Sequence, residues 1–462
     1  MHFDGHFVRG ALAQVDIIGT LPTEISFSVD TRLLQPGDIF VALQGARVDG
    51  HEFIAEALER GAVGIMIAQE KKDVVAALLT KLHKKCVCIV VPDTLEALVR
   101  LAQVWRVQFD YPIIAITGSV GKTSTKELVA QILTMHGNNC LVSQGNQNTK
   151  IGISLNILRM RPEHTVAVFE VGINKRGEMA QLAQLLRPTT GIITSIGHCH
   201  MEGLGSLHDI ALEKRDLFKY FNHDSIGIIN GDQSLLAQVS YAHPVIKFGA
   251  KTINQIQARK IHTTNKSISF FLKIYKEKYT VVLPQVHEGA VFNSLAAAAV
   301  AHLLKVPGPS IVKAIEKTVV VPGRFEQRLL RNKKGTLIND CYNANPESMK
   351  AALLAFQQIE TKSPKIAILG DMLGLGVNSP FWHRQVGRFL RKVPSLNKVI
   401  LVGNLVAWVK KTAPVGLRVE VVASWQDAVR KIEGELDAKP TILVKGSRAI
   451  GLEHLVSQLT NK

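Results

Sequence analysis

Residues 117–127 read Thr117-Gly118-Ser119-Val120-Gly121-Lys122-Thr123-Ser124-Thr125-Lys126-Glu127. The apolar run Ile113-Ile114-Ala115-Ile116 precedes them, and the helix-like stretch Glu127-Leu128-Val129-Ala130-Gln131-Ile132-Leu133 follows. Strand, glycine turn, Gly-Lys-Thr and helix in that order are the parts of a phosphate-binding loop. Glycines let backbone N–H groups turn inward around phosphate oxygens, because no side chain forbids the turn. Lys122 is placed to reach the outer phosphates of a nucleotide, and the Thr123 hydroxyl to hold Mg²⁺. Gly118, Ser119, Val120, Gly121, Lys122, Thr123 and Ser124 are therefore the expected nucleotide-binding loop. The common Walker spacing wants a glycine where Ile116 stands, so this is a shortened loop, a variant shared by fewer families.

Working outward, 462 residues suggest roughly three domains with ample length for buried cores. A hydrophobic content of 46% with 20% charged residues is ordinary for a soluble globular chain. No apolar stretch approaches the ~18 residues of a membrane span, and Met1-His2-Phe3-Asp4-Gly5-His6 lacks the pattern of a secretory signal. Cys86, Cys88, Cys140, Cys199 and Cys341 form no Cys-x-x-Cys pair, which argues against a zinc site or a disulfide framework and fits a reducing cytoplasm. The net charge of +17 admits anionic partners. Its densest runs, Lys81-Leu82-His83-Lys84-Lys85 and Arg331-Asn332-Lys333-Lys334, carry no interleaved aromatics to stack bases, so a solvated basic surface is expected and no nucleic acid.

Three sections are predicted. Residues 1–110 alternate β-like runs (Ile39–Leu43, Val63–Ile67, Cys86–Val91) with helix-like ones (Phe53–Arg60, Leu95–Phe109), a small α/β domain. Residues 111–320 open with the phosphate loop. They continue with strands at Val166–Glu170, Thr190–Ile196 and Ser225–Ile229, giving a mostly parallel sheet. After about Phe248 a lysine-rich alternating stretch predicts β structure, then the alanine-rich helix Asn293–Leu304. Residues 321–462 predict a second, doubly wound (Rossmann-like) sheet from strands Ile366–Leu369, Val399–Val402 and Thr441–Val444.

Ligands on such sheets lie beyond the strands' carboxyl ends. Glu170, at a strand end, is a candidate Mg²⁺ ligand, since a carboxylate is costly to bury unpaired. His198-Cys199-His200 alone more often marks structural or surface histidines; its place after a strand beside the phosphate loop is what raises it. Lys214 reads by default as an exposed helical lysine. Gly145-Asn146-Gln147-Asn148-Thr149-Lys150-Ile151-Gly152 is either a polar turn or a site for a polar ligand, with Asn146 and Asn148 its candidate contacts.

Taken together, these segments resemble the Mur ligases, ATP-dependent amide-bond ligases that build the peptidoglycan peptide stem. The match also runs through Asp30-Thr31-Arg32, Pro36–Leu43, Asp49-Gly50-His51, Glu170-Val171-Gly172, His200, Lys214 and Asn293–Ala297. It goes on through Pro322–Glu326, Asn339–Pro346, Leu369–Leu373 and Val444–Arg448. The last two groups resemble the branch that adds D-alanyl-D-alanine to a UDP-N-acetylmuramoyl-tripeptide, a step of cell-wall biogenesis on which cell shape and division depend. The resemblance implies domains for the UDP-sugar, for ATP and for the incoming amine, with no membrane span and a monomer. It places Thr123, Glu170 and His200 at Mg²⁺, and Lys214 there too when carried as a carbamate. Asn293 and Arg324 go to the nucleotide, and Arg324 and Asp340 close on it. Thr31, Arg32, Asn343, Asn345, Lys445, Ser447 and Arg448 go to the other substrates.

The chain departs from the family pattern at Gly289-Ala290, where His-Asn is frequent, and at Thr149, Ser154 and Gly374. None of these touches Lys122, Glu170 or His200, so an active enzyme is expected. A folate-polyglutamate-type ligase is disfavoured by the Asp30–Leu43 segment. A non-catalytic ATP- or nucleic-acid-binding module is disfavoured by the intact Lys122, Thr123, Glu170 and His200.

Overall fold

The structure, a computed structural model, describes residues 4–45, 48–317, 320–331 and 335–460. Met1-His2-Phe3 and the Asn332-Lys333-Lys334 part of the second basic run lie outside the described residues. By contact density the chain forms two compact units that are not continuous in sequence. One holds residues 1–114, 138–171 and 181–188; the other holds 115–137, 172–180 and 189–462.

In the first unit a five-stranded sheet runs in the order Asp16–Ile18, Val87–Val91, Gly64–Ala68, Ile39–Val41, Phe27–Ser28. Only the Asp16–Ile18 edge is antiparallel. Val87–Val91 is buried at every position, as an apolar run without alternation requires. The helix expected over Leu95–Phe109 spans Thr94–Arg106, begun by Asp93, whose side chain accepts the Glu96 N–H. The run expected as a helix over Phe53–Arg60 divides into a 3₁₀ turn, Gly50–Phe53, and a helix, Ile54–Glu59. Cys140–Val142 and Val166–Glu170 form a parallel pair in the same unit. The helix Lys150–Leu158 packs against Thr94–Arg106, with Lys150 paired to Glu96 at 3.3 Å.

The second unit contains two sheets. One runs Glu277–Leu283, Ile268–Ile274, Ile256–Thr263, Val245–Gly249, Ile226–Asn230, Thr190–Ile193, Ile113–Thr117. Its strands from Val245–Gly249 through Thr190–Ile193 are parallel. The lysine-rich stretch supplies two antiparallel ladders at the far end, so the sheet is mixed there. The other sheet runs Glu326–Leu329, Thr336–Asn339, Thr441–Lys445, Lys365–Gly370, Leu396–Val402, Arg418–Val422. All its pairs but the first are parallel, and apolar cores cover both faces, which is the doubly wound pattern.

Two boundaries move for physical reasons. The strand expected over Thr190–Ile196 ends at Ile193, because Thr194 and Ser195 turn their polar groups onto the phosphate loop. The alanine-rich helix opens at Gly289, four residues before Asn293. His287 makes that earlier start possible: its ring nitrogen Nδ1 accepts the Gly289 N–H at 3.1 Å, and its carbonyl accepts the Ala290 N–H at 2.9 Å. No helix among the described residues is long and apolar enough to cross a membrane.

Candidate nucleotide and phosphoryl-transfer site

Gly118 and Gly121 both adopt positive φ, +150° and +91°. A Cβ on Gly118 would lie 1.9 Å from Thr194 Oγ1, and one on Gly121 would lie 2.5 Å from Asn293 Oδ1. Both positions therefore need glycine on two counts, backbone conformation and space. The end of the neighbouring strand shapes the loop. Ser119 N–H donates to the Ser195 carbonyl at 2.8 Å, and Val120 N–H donates to Ser195 Oγ at 3.0 Å. Thr194 Oγ1 donates to the Val120 carbonyl at 2.6 Å. The helix Lys122–Met135 starts directly from this turn. The N–H groups of its first turn, on Lys122, Thr123 and Ser124, have no intrahelical acceptor and carry the positive end of the helix dipole. That is the environment a phosphate requires.

Lys122 folds back over the loop and donates to the Gly118 carbonyl at 2.9 Å. Thr123 Oγ1 accepts from Arg324 at 3.4 Å, so the threonine expected at the cation and the arginine expected at the nucleotide meet. A cavity of ≈ 300 Å³ opens beside them, lined by Gly121, Thr123 and Ser124 of the loop, by Asn293, and by Arg324, Asp340 and Lys445. The Arg324 guanidinium sits over the Tyr342 ring, 4.2 Å from its centroid, a cation–π contact that holds it in place.

Sequence reasoning missed His287, which lines the same cavity and is partly buried. A Cβ on Gly289 would meet its ring at 2.6 Å. The imidazole thus occupies the space of the side chain that Gly289 lacks. Burial lowers its pKa and keeps it neutral. Because Nδ1 accepts the Gly289 N–H, the proton belongs on Nε2, which is left as a donor. No pattern in the sequence distinguishes this histidine; the only signal was the pair of small residues at 289–290, which implies that another side chain fills their space.

His200 stands at φ +51° ahead of the short helix Met201–Leu204. Burial, reinforced by the charges of Lys122 and Lys214, drops its pKa to about 4, so it presents a neutral ring. Lys214 is 2% exposed on the helix Leu207–Arg215, and no carboxylate pairs with it among the described residues. Burial lowers its pKa to about 8. It is not the exposed lysine its polar helix suggested. Glu170, in the first unit, ends its strand with the backbone N–H on Ser143 Oγ at 3.0 Å and one carboxylate oxygen on Asn148 at 3.1 Å. Its other oxygen is buried with no partner among the described residues, an arrangement that costs energy unless a cation meets it.

The remaining candidates are put to different uses. Lys445 is buried, and its three protons go to Asp340 Oδ2 at 2.7 Å, the Asn343 carbonyl at 3.0 Å and the Asp340 carbonyl at 3.4 Å. Asp340 also accepts the Phe325 N–H at 3.1 Å, so this pair binds the residue next to Arg324. Asn345 caps the helix Pro346–Gln358 in a capping box with Ser348. Asn343 is exposed, with its side-chain oxygen on the Ala344 N–H at 2.8 Å. Ser447 is buried and accepts the Leu373 N–H at 2.9 Å. Arg448 is exposed and pairs with Glu453 at 3.3 Å. In the first unit Thr31 is buried, while exposed Arg32 is held by both oxygens of Asp30 at 2.8 and 2.6 Å. Asn146 is exposed, and Ser154 bonds the Lys150 carbonyl one helical turn back.

No three His, Cys, Asp or Glu side chains cluster as a metal cage among the described residues. Mg²⁺ in nucleotide sites is held by phosphates, a hydroxyl and one or two carboxylates; the Thr123 hydroxyl in the second unit is a donor of that kind, and so, taken by itself in the first unit, is the orphaned Glu170 oxygen.

Comparison with known proteins agrees with this geometry. Residues 116–301 match the Mur ligase middle domain, residues 323–448 the Mur ligase glutamate ligase domain, and residues 26–106 the Mur ligase family catalytic domain. The UDP-N-acetylmuramoyl-tripeptide–D-alanyl-D-alanine ligase of Escherichia coli is 33% identical over 459 residues, covering 98% of this chain and 96% of that one. The ligase of the same name from Bacillus subtilis is 30% identical over 459 residues, covering 98% and 96%. A crystal structure of MurF from Acinetobacter baumannii superimposes with a TM-score of 0.85 at 27% identity, over 100% of this chain and 99% of that one. A shortened phosphate loop facing Asn293, Arg324 and Asp340 across one cavity, in a chain that aligns end to end with these ligases, belongs to the Mur ligase family.

Proposed function

We infer that the protein is an ATP-dependent peptide-bond-forming ligase of peptidoglycan synthesis, joining D-alanyl-D-alanine to UDP-N-acetylmuramoyl-tripeptide. The observation that carries this reading is the phosphate loop opening, together with Arg324 and Asp340, on one nucleotide-sized cavity. We propose three domains, 1–110 for the UDP-sugar substrate, 111–320 for ATP and 321–462 for the amine, and a monomer working in the cytoplasm. The three family matches at 26–106, 116–301 and 323–448 support those limits.

In the proposed reaction a carboxylate oxygen of the tripeptide attacks the γ-phosphorus of ATP. The bond to the bridging oxygen breaks, ADP leaves, and an acyl phosphate remains. The nitrogen of D-alanyl-D-alanine then attacks the acyl carbon, phosphate departs with the C–O electrons, and the amine loses a proton. No protein nucleophile is required. The first-turn N–H groups of Lys122–Met135 orient the phosphates, and Lys122 turns from the Gly118 carbonyl to the transferring group to offset its charge. Arg324, held on Tyr342, reaches the same phosphates from the third domain. Thr123, neutral His200 and a carbamate on Lys214, with Glu170 as a further carboxylate ligand, would hold Mg²⁺, which would supply further charge neutralisation. Phosphate release with ATP and UDP-muramoyl-tripeptide, rising when D-alanyl-D-alanine is added, is the expected result; release indifferent to the dipeptide refutes the assignment.

Two expectations about substrates follow. His287 is the proposed hydrogen-bond donor to the nucleotide in place of the side chain missing at 289. His287→Phe keeps the volume and removes the donor, so the KM for ATP is expected to rise about tenfold, the worth of one hydrogen bond of ~1.4 kcal/mol. The KM for D-alanyl-D-alanine should not follow it. Arg448, exposed beside Tyr342 and paired with Glu453, is the proposed clamp for the dipeptide carboxylate. Arg448→Lys removes the two-pronged donor and is expected to raise the KM for D-alanyl-D-alanine roughly tenfold with the other two unchanged. Equal weakening of all three substrates assigns Arg448 to closure instead.

A further inference from the structure

The loop Gly197–His200 lies between the phosphate loop and two helices of the C-terminal third. On one side Ser119 Oγ donates to the Gly197 carbonyl at 2.9 Å, and the Gly197 N–H donates back to Ser119 Oγ at 2.9 Å. On the other side stands Glu347, in the first turn of the helix Pro346–Gln358. One of its carboxylate oxygens accepts the His198 N–H at 3.1 Å, and the other accepts the His198 ring at Nδ1, 2.5 Å away. The ring packs against Trp382 at a tilt of 46°, with centroids 3.9 Å apart. A Cβ on Gly197 would meet the Glu347 carboxyl carbon at 3.0 Å, so the carboxylate lies flat against the loop and glycine leaves it room. Two residues further on is His200, and beyond it the Glu202 N–H donates to the Gly374 carbonyl of the C-terminal third at 3.3 Å.

We propose that Glu347 is a positioning residue of the ligation reaction. Its carboxylate clamps His198 and thereby fixes the Gly197–His200 loop against Ser119 of the phosphate loop. The proposal rests on the ligase reading above. Glu347 is well built for the task. Pro346 and the Asn345–Ser348 capping box fix the start of its helix, so its side chain leaves a rigid point. The two donors of His198 need two acceptors in one plane, which a carboxylate supplies and an amide does not. The clamp ties a helix of the C-terminal third to the loop that Ser119 holds, so it acts where phosphoryl transfer needs its groups aligned. It touches no substrate itself.

The alternative is an acidic residue that merely favours the start of its helix, and kinetics separate the two. Wild-type activity with all three substrates is measured first, so that failure of the ligase reading is told apart from failure of the clamp. Given that activity, Glu347→Ala is expected to lower kcat by ~10-fold or more through misalignment, with KM for the UDP-tripeptide little changed. Glu347→Gln, which keeps the shape and one acceptor, should fall between, and it keeps the test open if the alanine variant folds poorly. His198→Ala should lose a similar factor, and the double variant should be no worse than the weaker single one, as expected of two groups acting as a unit. The clamp is overturned if kcat for both Glu347 variants stays within about twofold of wild type while only thermal stability drops, or if the two single losses multiply.

Discussion

Lys122→Ala is expected to reduce ligation by at least ~10²-fold, about 2.7 kcal/mol of transition-state stabilisation, by analogy with loss of a single charge-stabilising donor. The lysine lies at the first position of the helix Lys122–Met135, and its ammonium donates to the Gly118 carbonyl within its own loop. Removing it deletes one intraloop contact and the cation proposed to meet the transferring phosphoryl group, while the loop itself is held by Thr194 and Ser195. Far-UV circular dichroism should therefore be unchanged. The loss should appear in kcat more than in the KM for ATP, since the first-turn N–H groups still bind the ground-state phosphates. Lys122→Arg should recover little, because a planar fork does not reproduce a compact ammonium in a closed loop. Turnover of the alanine variant near wild type would remove the phosphate-loop assignment altogether.

How much of this was legible in sequence depends on the range of the interaction. The phosphate loop was readable because its demands are local: two glycines forced by conformation and crowding, between an apolar strand and a helix. Ile113–Thr117, Val166–Glu170 and Thr441–Lys445 were readable because strands buried on both faces are uniformly apolar. Their ends were less so. Thr194 and Ser195 look like strand residues until the loop they hold is in view. Three facts needed the fold. Lys445 meets Asp340 across 105 residues, and His198 meets Glu347 across 149, and neither pairing leaves a trace in spacing. Lys214 sits on a helix with charged residues on either side, so its pattern reads as solvent-facing; its burial is set by what packs over it. Asn345, read as a substrate contact, illustrates the converse. Asn before Pro-x-Ser is also a helix-capping signature, and the cap is what the residue makes. The compact units cut across the continuous ranges read from sequence, because 138–171 and 181–188 join the N-terminal chain through contacts such as Trp105 to the Met160 carbonyl.

The second large effect is expected at Lys214. A lysine 2% exposed, beside Lys122 and without a carboxylate partner among the described residues, is expensive as a cation, and burial accordingly brings its pKa to about 8. Neighbouring Glu213 offers no ion pair, since its two oxygens accept the Gly177 and Met179 N–H groups at 2.9 Å each. The consequence for chemistry has a definite sign. Carbon dioxide adds only to the neutral amine, forming an N–C bond and releasing a proton, and the side chain passes from a cation to an anion. At pH 7.5 a pKa of about 8 leaves about a quarter of the lysine neutral, against about one part in a thousand at the ordinary 10.5. Falling pH should therefore disfavour the carbamate and rising pH favour it. Lys214→Ala is expected to lose at least ~10-fold in kcat, and bicarbonate or a short carboxylate such as acetate should restore part of it by returning an anion to the space. Lys214→Arg keeps the cation and cannot form the carbamate, so it should be as impaired as alanine and indifferent to added bicarbonate. Thermal midpoints measured in parallel separate loss of folding from loss of the anion. Full activity in Lys214→Arg would end the carbamate proposal, and rescue of Lys214→Ala by chloride as readily as by carboxylate would reduce it to a general need for negative charge.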